Sequence, residues 1–236
     1  MADKITENLA EVRRRIAQAA LRANRNPDEI KLVAVSKTHP AETLRTALAA
    51  GVNVFGENKI QEADAKIDEI GREGAEWHLI GHLQSNKARR AVQLFDVIHS
   101  VDSLELARRL ERICLEEGRE KLSVFVQVDL AREETKSGVT EDDLDEMTAH
   151  LRGCTQLRFD GLMLLPPFFD SAQDARPLFT RLRSIRDRLH SLGAFSDGIG
   201  QLSMGMSHDF EIAIEEGATV VRVGTAIFGN RVIRNS

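Results

Sequence analysis

Apolar residues recur at Ile5, Leu9, Val12, Ile16 and Ala20, steps of three and four that draw one stripe along an N-terminal helix. Arg13, Arg14 and Arg15 fall mostly off that stripe, where a solvated helix face is expected. Beyond this helix the period changes. Short apolar runs rich in β-formers occur at KLVAVS (31–36), VNVF (52–55), WHLI (77–80), DVIHSV (96–101), LSVFVQVDL (122–130), LRFDGLMLL (157–165), GIGQLS (198–203) and TVVRVG (219–224). Helical patterns separate them over 41–50, 59–70, 86–94, 103–117, 141–151, 172–192 and 207–216. Gly51, Gly71, Gly118, Gly193 and Gly217 stand where helices end, as residues in a left-handed terminal conformation would.

Several of the strand runs are apolar at successive positions, which suits parallel strands covered on both faces. Eight βα units fit an α/β fold of the TIM-type (β/α)8 barrel, with an extra N-terminal helix, better than an open doubly wound sheet. No linker, low-complexity tract or repeat interrupts the 236 residues, so one domain spanning 1–236 is expected. The glycine-rich seventh run has the faintest strand pattern of the eight.

Composition narrows the setting. The chain is 42% hydrophobic and 29% charged, an ordinary globular balance, with a formal net charge of −5. That mild acidity argues against nucleic-acid or anionic-membrane partners. No run approaches the roughly 18 apolar residues of a membrane span, and the first twenty residues carry acids and arginines instead of a signal peptide's apolar centre. Cys114 and Cys154 form no C-x-x-C pair and suit unreactive thiols in a reducing cytosol, so a cytoplasmic protein is expected.

In such a barrel, chemistry gathers where the carboxyl ends of the strands converge. Lys37 follows KLVAVS directly. A lysine there is either a solvated loop charge or, partly desolvated, an amine able to condense with an aldehyde. The closing stretch LSMGMSHDFEIAIEEGATVVRVGTAIFG (202–229) offers a partner for it. Ser203, Gly205 and Ser207 surround a turn into a helix for which Ser207 is a candidate N-cap, with Asp209 in its first turn. Gly224 permits close backbone approach after the eighth strand, and Thr225 adds N–H and hydroxyl donors. Together they describe a phosphate cradle or, read plainly, a tight turn with ordinary caps.

VAVSKTHP, FGENKIQEA, WHLIGHLQSNK, KSGV, GLMLLPP and LSMGMSHDFEIAI followed by VRVGTAIFG resemble, in that order, the motifs of the pyridoxal phosphate homeostasis protein family. That family's barrel is similar to the alanine racemase N-terminal domain, a fold-type III barrel for pyridoxal 5′-phosphate (PLP). The resemblance covers Lys31 to Gly229, and His208 departs from it. It implies that Lys37 holds the PLP aldehyde as an internal aldimine. It further implies that Ser203, Gly224 and Thr225 hold the phosphate together with the Met204 or Gly205 backbone, that Arg222 faces the pyridine nitrogen, and that Asn58 lies near the ring edge or the imine. An arginine there donates a hydrogen bond without protonating the nitrogen, which weakens the cofactor as an electron sink. Pairing with Glu211 or Asp209 is the structural alternative for Arg222.

The resemblance therefore implies a non-catalytic, cytoplasmic PLP-binding protein that maintains the cofactor pool and hands PLP to apoenzymes that require it. The alternative is a slow PLP-dependent amino-acid racemase. Two-base racemization needs a base on each face of the substrate α-carbon. In the racemases that base is a tyrosine from a second domain, whereas this chain has no tyrosine. No second domain is expected after the barrel pattern, which also suggests a monomer. His39, His82 or His208 would have to substitute. A Schiff-base aldolase acting on a sugar phosphate is compatible with the lysine and cradle alone. His78 and His82 read as one buried and one mouth-facing histidine, not as a metal pair, and Lys136 reads as loop charge.

Overall fold

The computed structural model describes residues 2–131 and 137–229. Eight strands form one closed parallel barrel in chain order: β1 (Lys31–Val35), β2 (Val54–Glu57), β3 (Glu76–Leu79), β4 (Val97–Val101), β5 (Leu122–Gln127), β6 (Leu157–Met163), β7 (Gln201–Ser203) and β8 (Val220–Val223). The helices α2 (Ala41–Ala49), α3 (Ile60–Ile70), α4 (Ala88–Leu94), α5 (Leu104–Glu117), α6 (Leu144–Gly153), α7 (Arg176–Ser191) and α8 (Phe210–Glu215) follow successive strands. A single turn, α9 (Thr225–Phe228), follows β8.

The eighth helix is too short to cover its sector, and α1 (Ala2–Arg22) takes that place, packing on α8, α9 and α2. Its stripe of Ile5, Leu9, Val12, Ile16 and Ala20 is buried. Asn8 Nδ2 donates to the Ile227 carbonyl at 2.9 Å. Of the three arginines, Arg15 is not on a solvated face: it pairs with Glu211 at 2.7 Å and its guanidinium lies 4.6 Å from the Phe210 ring centre. A cation beside α8 gains both partners at once, a contact that helix periodicity alone does not reveal.

The outward faces of the strands and the inward stripes of the helices form the main core, with Ala34, Phe55, Trp77, Ile98, Val124, Leu162, Leu202 and Val221 among its members. A smaller apolar layer fills part of the barrel itself: Val33, Val54, Val97, Phe125, Met163 and Val220. Elsewhere the interior is polar. Glu76, His78, His99, Ser203 and Arg222 run across it, and all but the half-exposed Glu76 are buried.

Element limits differ from the sequence pattern where charge or a turn intervenes. The second strand runs 54–57 instead of 52–55 because Glu57, a charge at its end, is fully buried and paired. The fifth strand stops at Gln127 and continues only as the Val128–Val139 bridge. The last long helix pattern begins as a 3-10 turn, Ala172–Ala175, before Arg176. The glycine-rich seventh run contributes three residues and meets β8 through one pair, Ser203 with Val220. The five helix-ending glycines all have positive φ.

Candidate functional site

At the carboxyl ends of the strands, β1 lies between β8 and β2, with Ala34 opposite both Val223 and Phe55. Lys37 and Asn58 leave the barrel three residues beyond that level, and Thr225 leaves it after two. Register alone therefore gathers these three at one side of the mouth. Lys37 and Asn58 are half-buried and Thr225 is exposed. Gly81 lets the third strand's exit pass against Asn58, since a Cβ there would lie 2.3 Å from the Asn58 carbonyl oxygen. Gly224 is close-packed to a lesser degree: a Cβ would sit 3.3 Å from both Cβ and O of Val35, two residues before Lys37.

The Lys37 turn is held from below. Lys66, buried on α3, donates to the Ser36 carbonyl at 2.8 Å, to Glu57 Oε1 at 2.6 Å and to Glu62 Oε1 at 2.7 Å. Ser36 Oγ donates to Glu57 Oε1 at 2.6 Å, and the Thr38 N–H donates to Glu62 Oε1. The residues on both sides of Lys37 are thus tied to one ion cluster, with Thr38 in the left-handed region at φ 69°. Burial raises the Glu57 carboxyl above its ordinary value, with Lys66 acting against that shift.

On the opposite side of β1, the turn after β7 folds onto the end of β8. Ser207 Oγ accepts from the Gly224 N–H at 3.1 Å and the Ala226 N–H at 3.4 Å. Ser207 is not the N-cap of α8. That position belongs to Asp209, whose carboxylate accepts from the Met206 N–H at 2.6 Å. Two backbone N–H groups therefore converge on the Ser207 hydroxyl at this turn, with exposed Thr225 between them in sequence, a donor-rich place suited to an anion.

Ser203 and Met204 face elsewhere. Ser203 is fully buried, and its hydroxyl contacts Arg222 at 2.6 Å and His99 at 2.8 Å. The Met204 N–H is committed to the Val220 carbonyl at 3.1 Å. Gly205, at φ +93°, accepts from the Arg222 N–H and packs so closely that a Cβ would meet Ala213 Cβ at 2.6 Å. These three brace the cradle turn from behind, because strand alternation turns Ser203 into the barrel while the chain reaches the cradle only at Ser207.

Arg222 is buried in the barrel interior beneath the mouth. Its guanidinium donates to Ser203 Oγ and, at 2.8 Å, to the Leu164 carbonyl. Glu211 pairs with Arg15 instead. Burial lowers the Arg222 guanidinium to about 10, with Asp209 acting the other way, so it remains a cation at neutral pH.

The other sequence candidates are dispersed. His39 stacks near Phe228 with ring centres 4.9 Å apart, His82 contacts Asp102 at 2.9 Å, and exposed His208 lies beside Phe168. His78 points into the barrel, away from His82. Lys136 lies outside the described residues. Sequence reasoning passed over His99, Lys66, Glu57 and the acceptor role of Ser207. Two of these carried a signal: Lys66 interrupts the buried series Ile60, Ala63, Ile67, and His99 sits beside Ser100 between the apolar ends of a strand.

A barrel of this kind forms the N-terminal domain of alanine racemases, and the family model described as alanine racemase, N-terminal domain, matches residues 3–232. The relatives are more particular. A pyridoxal phosphate homeostasis protein of Pseudomonas aeruginosa is 43% identical over 96% of this chain and 96% of its own. One from Aquifex aeolicus is 39% identical over 95% of this chain and 97% of its own. The solved structure of PipY from Synechococcus elongatus with PLP bound is 41% identical, with a TM-score of 0.84, covering 95% of this chain and all of that one (100%). The chain belongs to the pyridoxal phosphate homeostasis protein family.

Proposed function

We propose that this protein binds PLP reversibly and covalently through the Lys37 amine and serves as a non-catalytic keeper of the cofactor pool. One observation carries the reading: β1 delivers Lys37 to the mouth beside a donor-lined turn on its neighbour β8, above a buried arginine. An amine suits an aldehyde, the N–H and hydroxyl donors suit a phosphate, and a guanidinium suits the lone pair of a pyridine nitrogen. The relatives' names and the PLP-bound PipY structure support the same ligand.

In this reading Lys37 holds the aldehyde carbon. The Gly224 and Ala226 N–H groups with Ser207 and Thr225 hold the phosphate, and the guanidinium N–H groups that Ser203 and Leu164 leave free face the pyridine nitrogen. Asn58 lines the ring's other edge. The fit replaces Ser203 and Met204 as phosphate ligands by Ser207 and its two N–H donors. Gly205 shapes the turn. PLP, when bound, supplies an electrophilic aldehyde and, if its ring nitrogen is protonated, an electron sink. Arg222 keeps its own proton, so it orients the ring without protonating it. The barrel works as a single-domain monomer in the cytoplasm and passes PLP to apoenzymes that need it.

Borohydride trapping with PLP followed by peptide mapping tests this. The label is expected on Lys37, and Lys37→Ala is expected to abolish it. A label consistently on another lysine, or none, refutes the binding reading. Exchange of amino-acid α-protons in heavy water at about 1 per second or faster would refute the non-catalytic one.

A further inference from the structure

The polar groups crossing the barrel form one continuous chain. Lys31 Nζ meets both Glu76 carboxylate oxygens at 3.1 and 3.2 Å. Glu76 Oε1 meets His78 Nε2 at 2.9 Å, and His78 Nδ1 meets His99 Nε2 at 2.8 Å. His99 Nδ1 meets Ser203 Oγ at 2.8 Å, and Arg222 Nη1 reaches the same oxygen at 2.6 Å. It begins at the amino-terminal face of the barrel, in a cavity of about 160 Å³ lined by Lys31, Glu76, His78, Lys121, Arg158 and Asp160, and ends at the guanidinium under the mouth.

The two ends dictate the hydrogens between them. A carboxylate only accepts, so His78 Nε2 must carry a hydrogen. A neutral His78 then accepts at Nδ1, which makes His99 Nε2 a donor and leaves His99 Nδ1 an acceptor. Ser203 must therefore donate its hydroxyl hydrogen to His99, presenting a lone pair to Arg222, which can only donate. Every group is satisfied in this single arrangement. Burial holds both imidazoles below their ordinary range, and a proton on His78 or the charge of Arg222 acts further against one on His99, consistent with neutral rings at pH 7. His99 is kept in plane by Phe125, with ring centres 4.4 Å apart and planes 7° from parallel.

We propose that His99 and Ser203 are positioning residues for Arg222, the last links of a hydrogen-bond chain whose polarity Glu76 sets from the far face of the barrel. A free hydroxyl could turn its hydrogen toward the guanidinium and repel it; His99 prevents that turn. Glu76, itself paired with Lys31, acts on the guanidinium only by fixing the direction of the neutral groups between them, while Asp209 is the carboxylate whose charge favours the cation. That Arg222 in turn orients a pyridine ring rests on the function proposed above; the chain does not.

Two measurements test it. Long-range 1H–15N correlation spectra of the ligand-free protein at pH 7 should show both His78 and His99 as neutral Nε2–H tautomers. An Nδ1–H tautomer or an imidazolium at either ring overturns the polarity. His99→Phe keeps the stack on Phe125 but removes both ring nitrogens. It should weaken PLP binding about five- to tenfold, a fraction of a hydrogen bond's net worth up to all of it, while Lys37 is still trapped by borohydride. His99→Asn, whose amide oxygen falls near the Nδ1 position, should recover most of the loss. Unchanged affinity in His99→Phe overturns the positioning role. If wild-type Lys37 is never trapped, the function proposed above fails, and the tautomers still decide the chain. They also decide it should His99→Phe fail to fold.

Discussion

Lys66→Met removes the cation beneath the Lys37 turn while keeping an apolar side chain of similar length. Three acceptors lose a donor: the Ser36 carbonyl, Glu57 and Glu62. Glu62 is partly exposed and can turn to water, whereas Glu57 is fully buried, its Oε2 already without a partner. Breaking a buried pair on one side costs about 3–5 kcal/mol. Glu57 has an escape, because it can take a proton. Protonating a carboxyl of ordinary value 4.5 at pH 7 costs about 3 kcal/mol at roughly 1.4 kcal/mol per unit, which caps the penalty near the lower end of that range. For a chain of this size 3 kcal/mol lowers the melting temperature by about 6–12 °C. The sign with pH follows: a folded-state value raised above the unfolded one gives stability that is present below 4.5 and lost as pH rises. The deficit of Lys66→Met against wild type should therefore be largest at pH 7 and above and shrink toward pH 4.5. Adding Glu57→Gln should recover most of it. Thermal melts across pH, with borohydride trapping of Lys37 alongside, provide the assay. A melting temperature within about 2 °C of wild type at pH 7, with trapping unchanged, would refute the view that this cluster holds the turn.

Three further outcomes follow from the same geometry. Acid should destabilise the protein in two stages: His78 and His99 are held below 6.5, chiefly by burial, so stability declines as pH falls below that value, and Glu76, held at about 2 against an ordinary 4.5 first by the His78 hydrogen bond, loses its contribution as pH falls from 4.5 through about 2. A flat melting temperature between pH 7 and pH 5 would contradict this. Ser207→Ala removes the hydroxyl on which the Gly224 and Ala226 N–H groups converge and with it a donor proposed for the phosphate, and should weaken PLP binding by about tenfold in a spectral titration, with less effect on free pyridoxal, which has no phosphate. Gly205→Ala must place a Cβ 2.6 Å from Ala213 Cβ at φ +93°, and should cost about 2 kcal/mol or more in denaturant unfolding.

The barrel was legible because each strand's outward residues must meet a helix, which leaves apolar runs at regular intervals. Even the three-residue β7 announced itself through Leu202 and Ser203. Its limits were obscured where a charge is buried, as at Glu57, because polarity in a linear pattern reads as an end. The mouth was legible as far as strand ends go, so Lys37 and the turn before β8 stood out. Which serine faces the cradle was not: Ser203 and Ser207 differ in whether the chain is still in the strand, and only folding reveals that. The chain through the barrel was hidden because its six members lie on five strands that are distant in sequence, each contributing only one or two of them.

The first helix has a consequence for how the protein is made. Asn8 hydrogen-bonds across 219 residues to Ile227, and Arg15 reaches Glu211 across 196. During synthesis α1 leaves the ribosome early, yet its docking surface is among the last parts to appear. At about 5–20 residues per second that interval lasts roughly 10–40 s. For that time α1 can pack only on early elements such as α2, and its side toward α8 and α9 stays bare, so the nascent chain offers chaperones a long-lived apolar helix face that only the closing segment can cover.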